Sequence, residues 1–321
     1  MKRVKLSGSE LSVSALCLGS LNFGTLLSEQ LCFKQMDRFL DLGGNFIDTA
    51  HVYNDWIPGE LSRSEKIIGR WLKASGKREK IVLATKGAHP TMDARTVMRV
   101  TPAAIVKDLN ESLINLNTSY IDLLFLHRDD PAVPVAEIMG CLNELIKQGK
   151  VRYIGCSNWS LKRIIEAQEY AAANGLQGFI CNQLMWSLAR INQENLPDKY
   201  AVMDTPTYAY HSSAGLNAMC FSSQAKGYFT RRLNGEILPK DVLAVYSNPE
   251  NDKIYTALLK LAKETGESLS VLALRYFIQQ KFTAVPIVSC DNDEQLAECA
   301  KAFSLPDMKF DYHLDIFNNN F

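Results

Sequence analysis

Leu123-Leu124-Phe125-Leu126-His127 is a run of four large apolar residues that ends on an imidazole. A β-strand buried on both faces has to be apolar along its length, so a polar or ionisable side chain is tolerated only where the strand emerges from the core. Four further segments have the same form. They are Phe46-Ile47-Asp48, Val82-Leu83-Ala84-Thr85-Lys86, Ile154-Gly155-Cys156-Ser157-Asn158 and Phe179-Ile180-Cys181-Asn182-Gln183. The repetition predicts parallel strands whose carboxyl ends meet at one edge.

The segments between these strands have the apolar periodicity of amphipathic helices. Thr101-Pro102 has the form of an N-cap followed by a proline at the first helical position, and Gly149 stands where a helix before the fourth of these strands would end. Residues 15–19, 218–221 and 283–288 supply three more strand patterns, which makes eight. Eight alternating βα units predict an α/β fold, a single (β/α)8 TIM barrel over residues 1–321.

Two segments fall outside a minimal barrel. Residues 2–13 alternate in polarity around Ser7-Gly8 and predict a β-hairpin that caps the barrel's bottom. Residues 222–250 are rich in glycine, proline and charge and are too long for an ordinary connection, so we expect a long loop after strand 7, over the mouth. Substrate specificity in such barrels depends on loop shape, here residues 54–63, 128–134, 222–250 and the tail from 304.

Charge and composition exclude several classes of function. The chain has 35 basic and 35 acidic residues, so nothing in its net charge favours nucleic acid or an anionic membrane as a partner. The basic start is not followed by an apolar stretch, which predicts a cytoplasmic protein. The eight cysteines lack paired spacings and are expected as free thiols, and the histidines show no metal-ligand spacing, so we expect no metal.

The polar strand ends, with Tyr53 just after the first, define one chemical device. Asp48, Lys86 and His127 come from successive strands and are expected to converge with this phenol. An ammonium about 4 Å from a phenol contributes roughly 4 kcal/mol at an effective dielectric constant near 20, which predicts a Tyr53 pKa below its free value of about 10. Asp48 would hold Lys86 charged, and a neutral His127 would donate to a carbonyl oxygen. The set protonates an oxygen as charge develops on it, and a cofactor has to supply the electrons.

Three motifs resemble those of the aldo-keto reductase family, and the likeness extends from about residue 4 to about residue 303. They are Gly43-Gly44-Asn45-Phe46-Ile47-Asp48-Thr49-Ala50-His51-Val52-Tyr53, Ser64-Glu65-Lys66-Ile67-Ile68-Gly69 and Gly149-Lys150-Val151-Arg152-Tyr153-Ile154-Gly155-Cys156-Ser157-Asn158. The resemblance implies that Tyr53 is the general acid and base, that Lys86 and Asp48 tune it, and that His127 orients the carbonyl of a small aldehyde or ketone. It also implies NADPH or NADH as cofactor, although the chain has no G-x-G-x-x-G fingerprint.

The same resemblance assigns the cofactor contacts. Ser157, Asn158 and Gln183 match positions that hold the nicotinamide carboxamide, next to Asp48, and Phe221 takes the place of the aromatic ring that stacks on the nicotinamide. Further contacts along the dinucleotide are expected from Ser222, Gln224, Ser289, Gln295 and Glu298.

The final motif departs from the family at the adenosine end. Asp291 and Gln295 stand in the stretch where relatives place a lysine or arginine against the 2′-phosphate. A carboxylate repels a phosphate, which predicts weak discrimination in favour of NADPH, dual use, or a preference for NADH. Lys226, Arg231 and Arg232 on the long loop offer a way to restore phosphate binding.

Three tryptophans follow mouth segments and have two interpretations. Trp56, Trp159 and Trp186 either form an apolar substrate wall or pack in the core. Two alternatives to a reductase also remain at this point. Lys86 could serve as a Schiff-base nucleophile in an aldolase-type barrel, or the chain could be a cofactor-binding regulatory subunit with little turnover. The sequence does not predict the oligomeric state.

Overall fold

Eight parallel strands close into a barrel in the computed structural model, which describes residues 1–196 and 200–306. The predicted tail therefore lies outside the described residues beyond 306. An antiparallel hairpin of β1 (Arg3–Lys5) and β2 (Ser12–Ser14) precedes the barrel. The barrel strands are β3 (Cys17–Gly19), β4 (Phe46–Asp48), β5 (Val82–Gly87), β6 (Ile121–Leu126), β7 (Val151–Ser157), β8 (Cys181–Met185), β9 (Asn217–Phe221) and β10 (Ala284–Val288). Each pairs with its neighbours in sequence and β10 pairs with β3, which confirms the predicted (β/α)8 fold.

Helices surround the barrel and cover the outer face of its strands. They are α1 (Glu29–Asp41), α2 (Arg63–Ser75), α3 (Pro102–Asn115), α4 (Val135–Lys147), α5 (Leu161–Ala173), α6 (Thr205–Ala214), α7 (Tyr228–Leu233), α8 (Lys240–Tyr246), α9 (Pro249–Thr265), α10 (Leu269–Arg275) and α11 (Asp293–Lys301). The predicted cap of α3 is present, since the Thr101 side chain accepts from the amide of Ala104. Among the helices of residues 1–196 and 200–306, none combines the length and apolar character needed to cross a bilayer.

The hairpin closes the amino-terminal end of the barrel, as predicted. Leu6, Leu11 and Val13 join an apolar cluster with inward-facing strand residues, and all three are buried. Asn217 on β9 fastens the turn, because its side chain accepts from the Ser7 amide and donates to the Ser7 carbonyl, each at 3.0 Å. The interior is thus filled at this end, and the cavity described below lies at the other.

The connection after β9 differs from the expected irregular loop. Within residues 222–250 the chain forms α7 and α8, preceded by a short 3₁₀ turn at Ala225–Gly227. Phe229, Val242 and Tyr246 from these helices are buried in the outer core. This segment contains apolar side chains that are one helical turn apart. Composition does not register spacing, so the glycines and charged residues predicted a loop.

Two glycines at the centre of helices have opposite surroundings. Gly69 in α2 is buried, and a Cβ built on it would overlap the backbone carbonyl of Asn115 at the end of α3. Gly140 in α4 is exposed, and a Cβ there would meet nothing within 4 Å. The close approach of α2 and α3 therefore depends on the missing side chain at Gly69.

We expect Gly69→Ala to lower the free energy of unfolding by about 1–3 kcal/mol, because two helix backbones must separate to admit a methyl group. Gly140→Ala should raise it by about 0.5–1 kcal/mol, since alanine loses less backbone entropy in a helix. Urea unfolding of both variants, followed by circular dichroism, measures the difference. Equal effects of the two substitutions would contradict this account of the α2–α3 contact.

Candidate active site

The alternation of side chains along each strand decides which residues share the mouth of the barrel. Five residues of the interior cluster stand two positions before a predicted site residue, and residues two apart in a strand face the same way. These pairs are Phe46 and Asp48, Ala84 and Lys86, Phe125 and His127, Cys181 and Gln183, and Met219 and Phe221. The five site residues therefore continue the inward-facing columns beyond the apolar cluster, at the carboxyl end.

Lys86 is the centre of the hydrogen-bond network. Its Nζ donates to Asp48 Oδ2 at 2.6 Å, to the carbonyl of Thr49 at 2.7 Å and to the Tyr53 hydroxyl at 3.0 Å. The side chain of Lys86 is 1 % exposed. An ammonium has three N–H groups, so all three are used, and the hydroxyl of Tyr53 accepts one of them. The proton of Tyr53 consequently remains available to another acceptor.

Asp48 is fixed on both of its oxygens. Oδ2 receives Lys86, and Oδ1 accepts from Gln183 Nε2 at 2.9 Å. Sequence reasoning placed Gln183 against the cofactor and missed this bond, although the position of Gln183 two residues after an interior cysteine was the available signal. Burial is the largest influence on Lys86 and lowers its pKa, but Asp48 and Tyr53 together raise that pKa above its ordinary value. Lys86 is therefore an ammonium at neutral pH.

The expected depression of the Tyr53 pKa is wrong. Burial raises the pKa of Tyr53 above its ordinary value, Lys86 lowers it by less, and Asp48 raises it further. The sequence argument gave the ammonium more weight than burial, which is the larger effect, and did not count the Asp48 carboxylate. At neutral pH Tyr53 is a protonated phenol and is thus a proton donor.

His127 faces the same cavity as a neutral imidazole. Burial lowers its pKa well below the ordinary value, and Lys86, His89 and Arg128 lower it further. Its ring lies edge-on to Tyr53 with 6.0 Å between ring centroids. The structure thus brings Asp48, Tyr53, Lys86 and His127 together, as the sequence predicted.

A single cavity of about 1230 Å³ runs from this cluster to the amino-terminal end of α11. Every predicted cofactor residue lines it. These are Asp48, Ser157, Asn158, Gln183, Phe221, Ser222, Gln224, Ser289, Gln295 and Glu298. The loop on one side of the cavity is strained, since Ser222, Ala225 and Lys226 have φ of 52°, 51° and 53°. Left-handed backbone at residues other than glycine is costly and concentrates at functional sites.

The far end of the cavity has paired charges. Lys226 forms an ion pair with Asp241 at 2.8 Å and Arg231 one with Glu236 at 3.2 Å, and all four residues line the cavity. Arg232 pairs with Asp252 and does not line it. The three basic residues that were expected to offer phosphate binding are therefore already matched to carboxylates.

The substrate wall of three tryptophans is wrong for two of them. Trp159 is buried, and its Nε1 donates to the carbonyl of Arg128, so it supports the loop that follows His127. Trp186 is buried against Tyr276 and Phe282. For Trp159 and Trp186 the packing interpretation is therefore correct, because both side chains point away from the cavity into the outer core. Trp56 lines the cavity and is 45 % exposed.

A cluster with metal-ligand geometry lies behind β5, away from the cavity. Ligand atoms of His51, Asp108 and Glu111 are all within 4.8 Å of one another. However, Arg99 donates to both oxygens of Asp108, and His51 Nε2 bonds Glu111 at 2.9 Å. Asp108 is thus already paired with a cation of the protein. The eight cysteines are free thiols, and all except the half-buried Cys141 are buried.

Comparison with known proteins finds one matching family and relatives that are named as oxidoreductases. The model of the aldo/keto reductase family matches residues 15–315. The uncharacterized oxidoreductase YrpG of Bacillus subtilis (strain 168) is 31 % identical over 316 residues, which cover 95 % of this chain and 92 % of the relative. Norsolorinic acid reductase B of Dothistroma septosporum is 30 % identical over 300 residues, 86 % and 70 % of the two chains. Aryl-alcohol dehydrogenase [NADP(+)] of Phanerodontia chrysosporium is 29 % identical over 314 residues, 90 % and 78 %.

Asp48→Asn should lower the free energy of unfolding by about 3–5 kcal/mol at pH 7, because the buried Lys86 ammonium loses its carboxylate. The folded pKa of Lys86 is raised, so its contribution is present below the unfolded value of about 10.4 and is lost as the pH rises through the folded value. In the variant Lys86 deprotonates more readily, so the deficit should shrink from pH 7 to pH 10.

Asp241→Asn is the matched control for this prediction, since it breaks the exposed ion pair with Lys226. Exposed pairs contribute little to stability, so we expect no measurable change. Urea titrations at both pH values compare the variants. A loss in Asp48→Asn no larger than that in Asp241→Asn would show that the buried pair is not what holds this site.

Proposed function

Because this chain belongs to the aldo/keto reductase family and is an NAD(P)-dependent oxidoreductase of carbonyl compounds and alcohols, we propose that Tyr53 is its general acid and base. The observation that carries the proposal is the bond from Lys86 Nζ to the Tyr53 hydroxyl at 3.0 Å. Lys86 occupies an oxygen lone pair of the phenol, so the phenolic proton points to a different acceptor. We assign that acceptor to the carbonyl oxygen of the substrate.

The lining of the cavity fits a nicotinamide dinucleotide. Phe221 offers a half-buried ring at the mouth, and the same lining contains the Ser157 hydroxyl and the amide oxygen of Asn158, whose amide nitrogen donates to His127 and Ser157. The strained turn that includes Ser222 and Lys226 presents backbone amides of the kind that hold anions. We propose that these residues hold the nicotinamide and the pyrophosphate. When bound, the cofactor supplies or accepts the hydride.

Residues of the protein bind the carbonyl oxygen of the substrate and supply its proton. In reduction, the carbonyl oxygen accepts from neutral His127 and from the Tyr53 hydroxyl, and Tyr53 transfers its proton as negative charge develops. The phenolate left behind is stabilised by the Lys86 ammonium, whose charge Asp48 and Gln183 keep in place. In oxidation the same groups act in reverse, with Tyr53 as the base.

The two alternatives are not favoured. A Schiff-base lysine has to be neutral and reachable, whereas Lys86 is 1 % exposed, donates to three oxygens and has a raised pKa. A subunit with little turnover would have no need to keep the phenol, ammonium and carboxylate hydrogen-bonded at the mouth of a large cavity.

Tyr53→Phe is expected to lower kcat by at least about 10³-fold, because no other described group stands ready to protonate the oxygen. Lys86→Met should cost a similar factor, since an unassisted phenol is too weak an acid. Steady-state kinetics at saturating dinucleotide measures kcat, and quenching of protein fluorescence measures dinucleotide affinity. Affinity in Tyr53→Phe should stay within about threefold of wild type. Normal turnover in that variant would refute the assignment.

We further propose that the protein uses NADH about as well as NADPH. The adenosine end of the cavity carries Asp291, Gln295 and Glu298, and the nearby Lys226 and Arg231 are matched to carboxylates. This lining suits a free ribose hydroxyl better than a 2′-phosphate. One relative is an NADP(+) enzyme by name, so the proposal concerns a departure of this chain from that relative.

The ratio of kcat/KM for NADPH to that for NADH should be below about ten in the wild type, measured with one carbonyl substrate. Gln295→Arg should raise kcat/KM for NADPH by about tenfold or more, because a charged hydrogen bond to phosphate contributes about 1.5–3 kcal/mol. Gln295→Met removes the amide without adding a positive charge and serves as the control. A strong preference for NADPH in the wild type would overturn the proposal.

A further inference from the structure

His89 is a second imidazole at the mouth, and the catalytic assignment above does not use it. It stands two residues after the end of β5 and follows Ala88, whose φ is 61°. Its ring lies 4.7 Å from that of His127, measured between centroids, and both rings line the cavity. A group bound to the carbon next to a carbonyl held by His127 would therefore lie beside His89.

The hydrogen bonding of His89 determines which of its ring nitrogens is a donor and which is an acceptor. Its Nδ1 lies 2.7 Å from the carbonyl oxygen of Pro90. A carbonyl has no proton to give, so Nδ1 is the donor and carries the ring's hydrogen. Burial lowers the pKa of His89, and Arg128, Arg99 and Arg95 lower it further, against the bond to Pro90, which raises it. The ring is neutral at pH 7, and Nε2 is then an acceptor.

Several other residues in the lining of the same cavity offer no strong neutral acceptor. Val52 and Met92 are apolar, and the side chains of Trp56, Arg95 and Arg128 are donors. A substrate hydroxyl that entered here would lose its bonds to water and would need an acceptor in return. Nε2 of His89 supplies one.

We propose that His89 selects substrates that carry a hydroxyl group on the carbon adjacent to the carbonyl, by accepting the hydrogen bond of that hydroxyl at Nε2. The substrate class is thus the α-hydroxy ketones and α-hydroxy aldehydes, or the matching vicinal diols in oxidation. This inference rests on the proposed function, because it takes the position of the carbonyl from His127 and Tyr53.

Hydroxyacetone and butanone form a matched pair for the test, since they differ by a hydroxyl in place of a methyl group next to the same carbonyl. Hydroxyacetone is also the more electrophilic ketone, so the informative quantity is the change in preference between variants. The ratio of their kcat/KM values should fall by roughly 3- to 10-fold in His89→Phe, which keeps an aromatic ring and removes the acceptor. The fall should come from hydroxyacetone, with butanone nearly unaffected.

Two further variants separate recognition from packing. His89→Gln retains an amide oxygen as acceptor and should recover part of the preference. Met92→Leu alters the same wall without changing an acceptor and should leave the ratio as in wild type. An unchanged ratio in His89→Phe, with normal turnover of both ketones, would overturn the role of His89 and leave the proposed function standing. Absence of nicotinamide-coupled turnover for every carbonyl tested in the wild type would overturn both.

Discussion

The buried ammonium of Lys86 is the constraint on which the site depends. A charge removed from water is tolerated only if its donors are satisfied and an opposite charge lies beside it. Asp48, Thr49 and Tyr53 meet both conditions, and they come from the end of β4 and the turn that follows. The hydrogen bond from Lys86 therefore contributes to the position of the phenol, together with the edge-on contact of its ring with His127. This coupling explains how the hydroxyl of a loop residue is held in place as firmly as a side chain on a strand.

A consequence is the distribution of protons around the mouth. Lys86 is held charged, while Tyr53, His89 and His127 are held neutral. The cavity next to the phenol thus combines one fixed cation, compensated by Asp48, with uncharged donors and acceptors. Such a surface stabilises an oxygen that gains charge during a reaction without binding an anion tightly beforehand.

Much of the fold and site could be predicted from the sequence, because a strand that is buried on both faces has a recognisable pattern of apolar residues. Apolar runs that end in Asp48, Lys86 and His127 fixed the strands, their direction and the convergence of the tetrad. The strand predicted from Phe179 begins at Cys181 instead, since an apolar run does not mark its own start. Trp159 and Trp186 were ambiguous because an indole serves a core and a wall equally well, and only the direction of the side chain decides. The Tyr53 pKa depended on the balance between burial and two opposite charges, which requires distances.

The attachment of the hairpin to β9 has a consequence for how the protein is made. Ser7 bonds to Asn217, and Cys17 pairs with Ile287, so the hairpin and the first barrel strand are synthesised long before the strands that hold them in place. Until β10 is synthesised, the growing sheet has two open edges of unpaired backbone, which are templates for intermolecular pairing. Synthesis of β9 and β10, within residues 217–288, is therefore the stage at which these open edges are removed and the hairpin gains its partner.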